Sequence, residues 1–441
     1  MTFDTPAFLA KLSNQTFHVG VVGLGYVGLP LSLTFVEQTQ FLVSGFDVDA
    51  AKVERLRAGG SYIAHLGQER VARALESQRF RPTGDFSLLG QLDAILISVP
   101  TPLTAAREPD LTFVVATVEQ VARHLRRGQL IVLESTTYPG TTEEVVLPLL
   151  EKSGLTCGVD FQLAFSPERE DPGNRMYTTA SIPKLVGGVN AESTALAAAL
   201  YASAFQRVVR VASARVAEAA KITENVFRAV NIALVNELKV IYDSMGLDIW
   251  EVLDAAATKP FGFMRFNPGP GLGGHCIALD PFYLSFKARA HGVQTEFIEL
   301  AGKINLAMPT YVVRRLGAAL AAQGLALRDS HILVLGVAYK ADVDDTRESP
   351  AFAIVSQLLE QASRVSYHDP HVAVLGPSRS WPGLPALRSE DLTREMLANA
   401  DAVVVVTDHV AVDYSYVLEH AKLIVDTRGV YRTPHPKVFH A

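Results

Sequence analysis

Cysteine is scarce. The 441 residues hold two, Cys157 and Cys276; two cannot build a disulfide framework, and a reducing cytoplasm is the expected home. Long apolar runs are missing as well, and none approaches the roughly 20 residues of a bilayer span. Residues 1–17 lack a basic segment followed by an apolar one, so they do not read as a secretory signal. Positive charge is not in excess: the formal charge is −6, which argues against nucleic acid as a main partner. There is no long block of like charge, no fixed-period repeat and no low-complexity segment. What is present is ordinary for a globular chain with a substantial core, 49% hydrophobic and 20% charged residues. The length favours about three domains of roughly 150 residues.

Glycine, by contrast, is concentrated. Residues 17–23 read as a short buried strand, and Gly23-Leu24-Gly25-Tyr26-Val27-Gly28 follows at once. Residues 29–36 continue as an apolar helix, and 41–46 read as a second strand ending at Asp47. This is the dinucleotide fingerprint in its required context of strand, glycine turn, helix, strand and acid. Gly23 allows the tight turn, Gly25 lets a pyrophosphate approach the backbone, and Gly28 lets the helix pack on the strand. The helix start behind Tyr26 and Val27 offers unpaired N–H groups to phosphates. Asp47 stands where a carboxylate would accept from the ribose hydroxyls of NAD and repel the 2′-phosphate of NADP.

Further strands are expected at 93–99, 129–133 and 161–165, with helices at 113–125 and 142–152 between them. In an open α/β sheet, ligands bind beyond the carboxyl ends of the strands. Thr101, Thr136 and Glu168, just past three such ends, are therefore expected to face the cofactor. Residues 213–245 have the strongest helix signal, with no Gly or Pro inside and Gly246 placed to terminate it. At about 1.5 Å per residue this helix would run nearly 50 Å. Its apolar content suits a spine between domains or a subunit contact. Lys221 and Asn225 are four apart and share one face of it.

Residues 268–281 hold the second cysteine in Pro-Gly-Pro-Gly-Leu-Gly-Gly-His-Cys-Ile-Ala-Leu-Asp-Pro. Gly admits positive φ and Pro fixes its own, so few helical options remain before His275. The stretch reads as a loop that lays its backbone on a ligand and presents the Cys276 thiol. Helices are expected at 282–290, 296–306 and 310–323, and 324–330 as a linker. A second α/β unit opens with a buried strand at 331–336, with Lys340 just beyond it. Ser349 and Pro350 read as N-cap and first residue of a helix to about 362, and further strands at 364–367, 402–406 and 423–426. This half echoes the first without a GxGxxG. The fold class expected is α/β, two Rossmann-like doubly wound parallel-sheet domains joined by a long central helix. The expected division is 1–212, 213–323 and 324–441.

Two mononucleotide-type folds suggest two nucleotides, a cofactor and a nucleotide-linked substrate. A thiol beside NAD suggests aldehyde oxidation through a thiohemiacetal and a thioester. The thiolate is the nucleophile, and a cation such as Lys221 would favour it. Cys157 has no comparable flanks and reads as incidental.

Seven motifs in one order extend this reading: Val22-Gly-Leu-Gly-Tyr-Val-Gly28, Val99-Pro-Thr-Pro102, Glu134-Ser-Thr136, Ser166-Pro-Glu168, Lys221-Ile-Thr-Glu-Asn225, Gly273-Gly-His-Cys276 with Asp280, and Lys340 with Asp345-Thr-Arg-Glu-Ser349. In these the chain resembles, over nearly its whole length, the UDP-glucose/GDP-mannose dehydrogenase family. The resemblance implies NAD⁺-dependent four-electron oxidation of a sugar C6 alcohol to a carboxylate, for polysaccharide precursors, with Cys276 carrying the covalent intermediates. It implies that Lys221 and Asn225 stabilise the oxyanion, that Asp280 orients Lys221 and a water, and that Glu168 and Thr136 handle the hydrolytic water. It further implies that Lys340, Arg265 and Gly273 contact the UDP-sugar, Arg265 from a neighbouring subunit, and that Arg347 approaches the cofactor. A homodimer or higher homo-oligomer through the spine is expected.

Within the family, Leu279 stands where plain UDP-glucose enzymes often have Lys. The cysteine loop resembles the branch acting on N-acetylated sugars, and 166–174 resembles, within it, the enzymes for UDP-N-acetylglucosamine, which is favoured over UDP-N-acetylmannosamine and UDP-glucose. Two other classes stay open: a catalytically silent binder of NAD and nucleotide sugar, and a two-electron hydroxyacid dehydrogenase. The intact Cys276, Lys221, Asn225 and Asp280 speak against the first, and the thiol and third domain against the second.

Overall fold

The computed structural model describes residues 2–63, 66–104, 107–169, 178–378 and 380–441, without the side chains of His275, Cys276 and Ala278. Residues 170–174 of the sugar-branch motif and the Cys276 thiol thus lie outside the described residues. The chain forms two compact units, Met1–Glu224 with Phe282–Val293, and Asn225–Pro281 with Gln294–Ala441. Among the described residues no helix is long and apolar enough to cross a membrane.

The first unit is built on strands β1 (His18–Val22), β2 (Leu42–Phe46), β3 (Phe80–Thr83), β4 (Ala94–Ile97), β5 (Leu130–Leu133), β6 (Gln162–Phe165), β7 (Lys184–Gly188) and β8 (Val208–Arg210). They form one sheet in the order β3-β2-β1-β4-β5-β6-β7-β8. Pairing is parallel up to β6, antiparallel between β6 and β7, and parallel again to β8. The sheet is thus mixed near one edge, as large α/β sheets often are. β4, β5 and β6 are buried along their length, and β4 and β5 read as continuous apolar runs, as helix-covered parallel strands do. The order reverses between β1 and β4, the switch point where a crevice opens at the carboxyl ends.

The second unit is built on β9 (His331–Leu335), β10 (Arg364–His368), β13 (Ala402–Val405), β14 (Ile424–Asp426) and β15 (Val438–His440), beside the short pair β11 (Val374–Leu375) and β12 (Leu387–Arg388). Its five-stranded sheet is parallel throughout, in the order β10-β9-β13-β14-β15. It repeats the construction of the first sheet. Gly23 (φ 94°) and Gly336 (φ 77°) both turn the chain after the first strand. A Cβ at either would stand 2.5 Å from Ser98 O or 2.4 Å from Thr407 O, so only glycine fits. Asp47 accepts the Leu24 amide, and Asp369 accepts the amides of Val337 and Ala338. His18 donates its amide to Asp93 and bonds Ser44 through its ring; His331 does the same with Asp401 and Ser366.

The spine is one helix, Ala214–Ser244. Two expectations about helices are revised. The cysteine stretch is a loop only up to Gly274, and a single helix runs His275–Ala290 with Pro281 inside it. Cys276 therefore stands in a first helical turn. Likewise 296–306 and 310–323 are one helix, Glu296–Ala322, through Pro309. Each proline removes one N–H from the ladder, and at Pro309 the carbonyl left without it is that of Asn305. That helix buries Ile298, Met308, Val312, Leu316 and Leu320, and such packing outweighs one lost bond.

Candidate active site

In the first unit the glycine turn separates three roles. A Cβ at Gly28 would fall 1.8 Å from Gly23 O and 3.2 Å from Val21 Cγ1, so this glycine serves the packing of helix on turn and strand. At Gly25 nothing lies within 4 Å, which leaves the backbone open to an approaching group. The helix Gly28–Gln38 has no side chain capping its start at Val27. Its first N–H groups and dipole suit a pyrophosphate. Asp47 is buried, and it accepts the Leu24 amide at 3.0 Å and the Asp49 amide at 2.9 Å. A carboxylate has about four lone-pair sites, so acceptor capacity remains for ribose hydroxyls. Lys52, which the sequence reading did not single out, sets its ammonium 3.8 Å from the same carboxylate. These features fit an NAD molecule.

Thr101, Thr136 and Glu168 follow β4, β5 and β6, at the carboxyl edge. The buried carbonyl of Thr101 accepts from the buried Tyr283 hydroxyl, on the helix His275–Ala290. Glu168 lines a cleft with Val27, Glu134, Arg169, Lys184 and Phe205. Behind it, Lys184 Nζ lies 2.6 Å from Glu134 Oε2, and the Tyr201 hydroxyl donates to Glu134 Oε1. Burial pushes the Glu134 carboxyl up, against the pull of Lys184. Burial and the Glu134 charge raise Tyr201 well above its usual value. Arg169 bonds Glu224 at 2.7 Å and the Pro183 carbonyl at 2.8 Å. Lys221 is buried on the spine helix.

The second unit holds the remaining expected residues. Asn225 Nδ2 donates to Asp280 Oδ2, and both side chains are buried. The cysteine loop lies against the turn after β9. A Cβ at Gly273 would meet Tyr339 Cβ at 2.7 Å and Pro350 Cδ at 3.1 Å, and the Gly274 amide donates to Arg347 O at 3.2 Å. This packing brings Gly273 beside the segment of Lys340 and Arg347. The Arg347 guanidinium is held by Asp345, with Nη2 2.6 Å from Oδ2. Arg265 is engaged by Asp254 and by Asn267 Oδ1 at 3.0 Å. Arg428, missed by the sequence reading, follows β14; its Nη1 would lie 3.0 Å from a Cβ at Gly269. Its only sequence signal is a position just past a strand end.

Asp342, His371 and His409 bring one ligand atom each within 4.8 Å of one another. His409 is committed, however: Nδ1 accepts from the Asp342 amide at 3.0 Å and Nε2 bonds Asp369 at 3.0 Å. Burial works against charge on Asp369, but the bonds from His409 and from the amides of Val337 and His371 outweigh it and bring the carboxyl down to about 2.

Comparison with known proteins agrees with this construction. Residues 17–205 match the NAD binding domain of the UDP-glucose/GDP-mannose dehydrogenase family, 215–307 its central domain and 333–433 its UDP binding domain. The chain is 38% identical to the UDP-N-acetyl-D-glucosamine 6-dehydrogenase of Pseudomonas aeruginosa, over 80% of this chain and 83% of that one. It is 34% identical to the UDP-N-acetyl-D-mannosamine dehydrogenase of Yersinia pestis, over 94% and 99%. The solved UDP-D-ManNAc dehydrogenase of Pyrococcus horikoshii superposes with a TM-score of 0.87 at 31% identity, covering 96% of this chain and 98% of that one. The glycine turn, the second nucleotide-type sheet and these matches agree: this chain belongs to the UDP-glucose/GDP-mannose dehydrogenase family and is an NAD-dependent oxidoreductase.

Proposed function

We propose that the chain oxidises the C6 alcohol of a UDP-N-acetylhexosamine, UDP-N-acetylglucosamine above others, to the uronic acid. The observation that carries the sugar is the 38% identity to the Pseudomonas aeruginosa UDP-N-acetyl-D-glucosamine 6-dehydrogenase, against 34% to the Yersinia pestis mannosamine enzyme. Leu279, where plain UDP-glucose enzymes often have Lys, supports the N-acetyl branch.

Bound NAD⁺ supplies the hydride acceptor for both two-electron oxidations. Lys221 and Asn225 stabilise negative charge on the C6 oxygen, as preorganised donors in a dry site do best. The bond from Asn225 to Asp280 supports this, since it orients the amide. The Cys276 thiolate adds to the C6 aldehyde to give a thiohemiacetal, whose oxidation leaves a thioester. Glu168 and Thr136 position the water that hydrolyses it, which releases the carboxylate and restores the thiol. Arg265, Gly273, Lys340 and the turn around Arg347 contact the nucleotide sugar and the cofactor. A reducing compartment such as the cytoplasm keeps the thiol available.

The functional unit is a homodimer or larger assembly. Phe227, Leu234 and Ile241 recur every seven residues on the spine helix and are 47%, 49% and 40% exposed. A stripe of that period is the seam one helix offers another, and light scattering of the purified chain tests it. The sugar is tested by kcat/KM for UDP-N-acetylglucosamine, UDP-N-acetylmannosamine and UDP-glucose, side by side with NAD⁺. A site built to hydrogen-bond the acetamido group leaves its own groups unpaired with glucose, so UDP-glucose should be strongly rejected. Preference for UDP-glucose sinks the N-acetyl assignment; preference for the manno epimer sinks only the sugar.

A further inference from the structure

The spine helix carries a carboxylate that the reaction as drawn does not use. Glu218 is 0% exposed, one turn before Lys221. Residues three apart on a helix are surface neighbours, so the two share a side. Glu218 Oε1 accepts the Thr142 amide at 2.8 Å and the Thr142 hydroxyl at 2.7 Å, and Oε2 accepts the Gly140 amide at 2.5 Å. Every partner is a donor, so the group acts as a carboxylate although burial pushes it up. A buried charge is tolerated only where bonds replace its hydration. Here they come from the start of a π-helical turn, Thr142–Val146, six residues after Thr136. Such turns are rare and occur often at functional sites.

The same segment anchors the far end of the cysteine helix. Lys287 Nζ lies 2.8 and 2.6 Å from the two Glu144 oxygens, and the Tyr138 and Phe286 rings are 5.6 Å apart. Arg215, at the start of the spine helix, bonds Glu143 at 2.6 Å. The segment after β5 therefore serves as a platform to which both helices are fastened. Glu218 is its buried fastening, whereas the Glu143 and Glu144 pairs are partly exposed and screened by solvent.

We propose that Glu218 is a positioning residue that acts through Lys221. Its carboxylate locks the spine helix onto the turn after β5 and so sets where the Lys221 ammonium stands relative to Thr136. This inference rests on Lys221 having the role given above. Glu218→Gln keeps the volume but turns an NH₂ toward donors, so the lock opens without leaving a cavity. A displacement of about 1 Å can cost on the order of 10²-fold in rate.

The test is steady-state NADH formation with whichever of the three UDP-sugars is turned over, so the sugar assignment does not enter. Glu218→Gln should lower kcat roughly 10- to 100-fold with little change in KM for either substrate. Thr142→Val, which removes one of the three bonds, should show the same pattern more weakly, and serves if the glutamine variant fails to fold. The decisive measurement is the cycle with Lys221→Ala. If Glu218 acts through Lys221, the double variant falls no further than Lys221→Ala alone. Fully additive losses, or an unchanged kcat in Glu218→Gln, overturn the proposal. If Lys221→Ala itself leaves kcat intact, the failure lies with the reading of the active site instead.

Discussion

Replacing Asp369 by Asn should remove an acid-sensitive anchor of the second sheet. Asp369 bonds His409 and four amides, those of Val337, Ala338, His371 and Val372, at 2.7 to 3.2 Å. These bonds bring its carboxyl from 3.8 to about 2. At about 1.36 kcal/mol per decade, that difference is worth about 2 kcal/mol. The folded value is depressed, so the stability is present above the unfolded pKa and is lost as pH falls through the folded one. Linkage places about half of the loss at pH 3 and most of it by pH 2. Both tryptophans, Trp250 and Trp381, lie in the second unit, so their fluorescence reports on that unit alone. Urea unfolding followed by this signal should show Asp369→Asn less stable than the parent by about 2 kcal/mol near pH 7. The gap should shrink by about 1 kcal/mol at pH 3. A gap that stays constant across this range would refute the assignment of the low pKa to the folded state of Asp369.

The glycines of the turn should respond differently to the same change. Gly28→Ala drives a Cβ to 1.8 Å from Gly23 O and should cost stability of at least the 1–3 kcal/mol typical of overpacking, read as a lower Tm. Gly25→Ala meets nothing within 4 Å and should keep its Tm while raising KM for NAD⁺. Turnover should favour NAD⁺ over NADP⁺, and Asp47→Ser should narrow the preference, because the carboxylate repels a 2′-phosphate; equal use of both by the parent enzyme counts against Asp47. Cys276→Ser should fail to complete two NADH per sugar, since its oxygen ester hydrolyses poorly beside a thioester; full turnover by the serine variant excludes covalent catalysis through Cys276.

Local sequence patterns determine much of this protein. The glycine turn, the strand ends at Thr101, Thr136 and Glu168, the spine helix and the Ser349–Pro350 helix start are each encoded within a few residues. Periodicity, glycine φ and proline geometry act at that range. Asp47 was legible too, because its distance from the glycine turn is set by one helix and one strand. Local signals misled where packing overrode them. Pro281 and Pro309 each cost one backbone bond and suggested helix boundaries, yet both helices run through. Only the tertiary structure decided which buried charges meet. Glu218 finds Thr142 across 76 residues, Lys184 finds Glu134 across 50, and His409 finds Asp369 across 40. A carboxylate in a sequence carries no mark of its partner, because burial and bonding geometry arise only when distant segments pack. The likeness of the two sheets is hidden for the same reason. Each needs one glycine after its first strand and one carboxylate to bind the next amides, and that requirement is met without a repeated sequence.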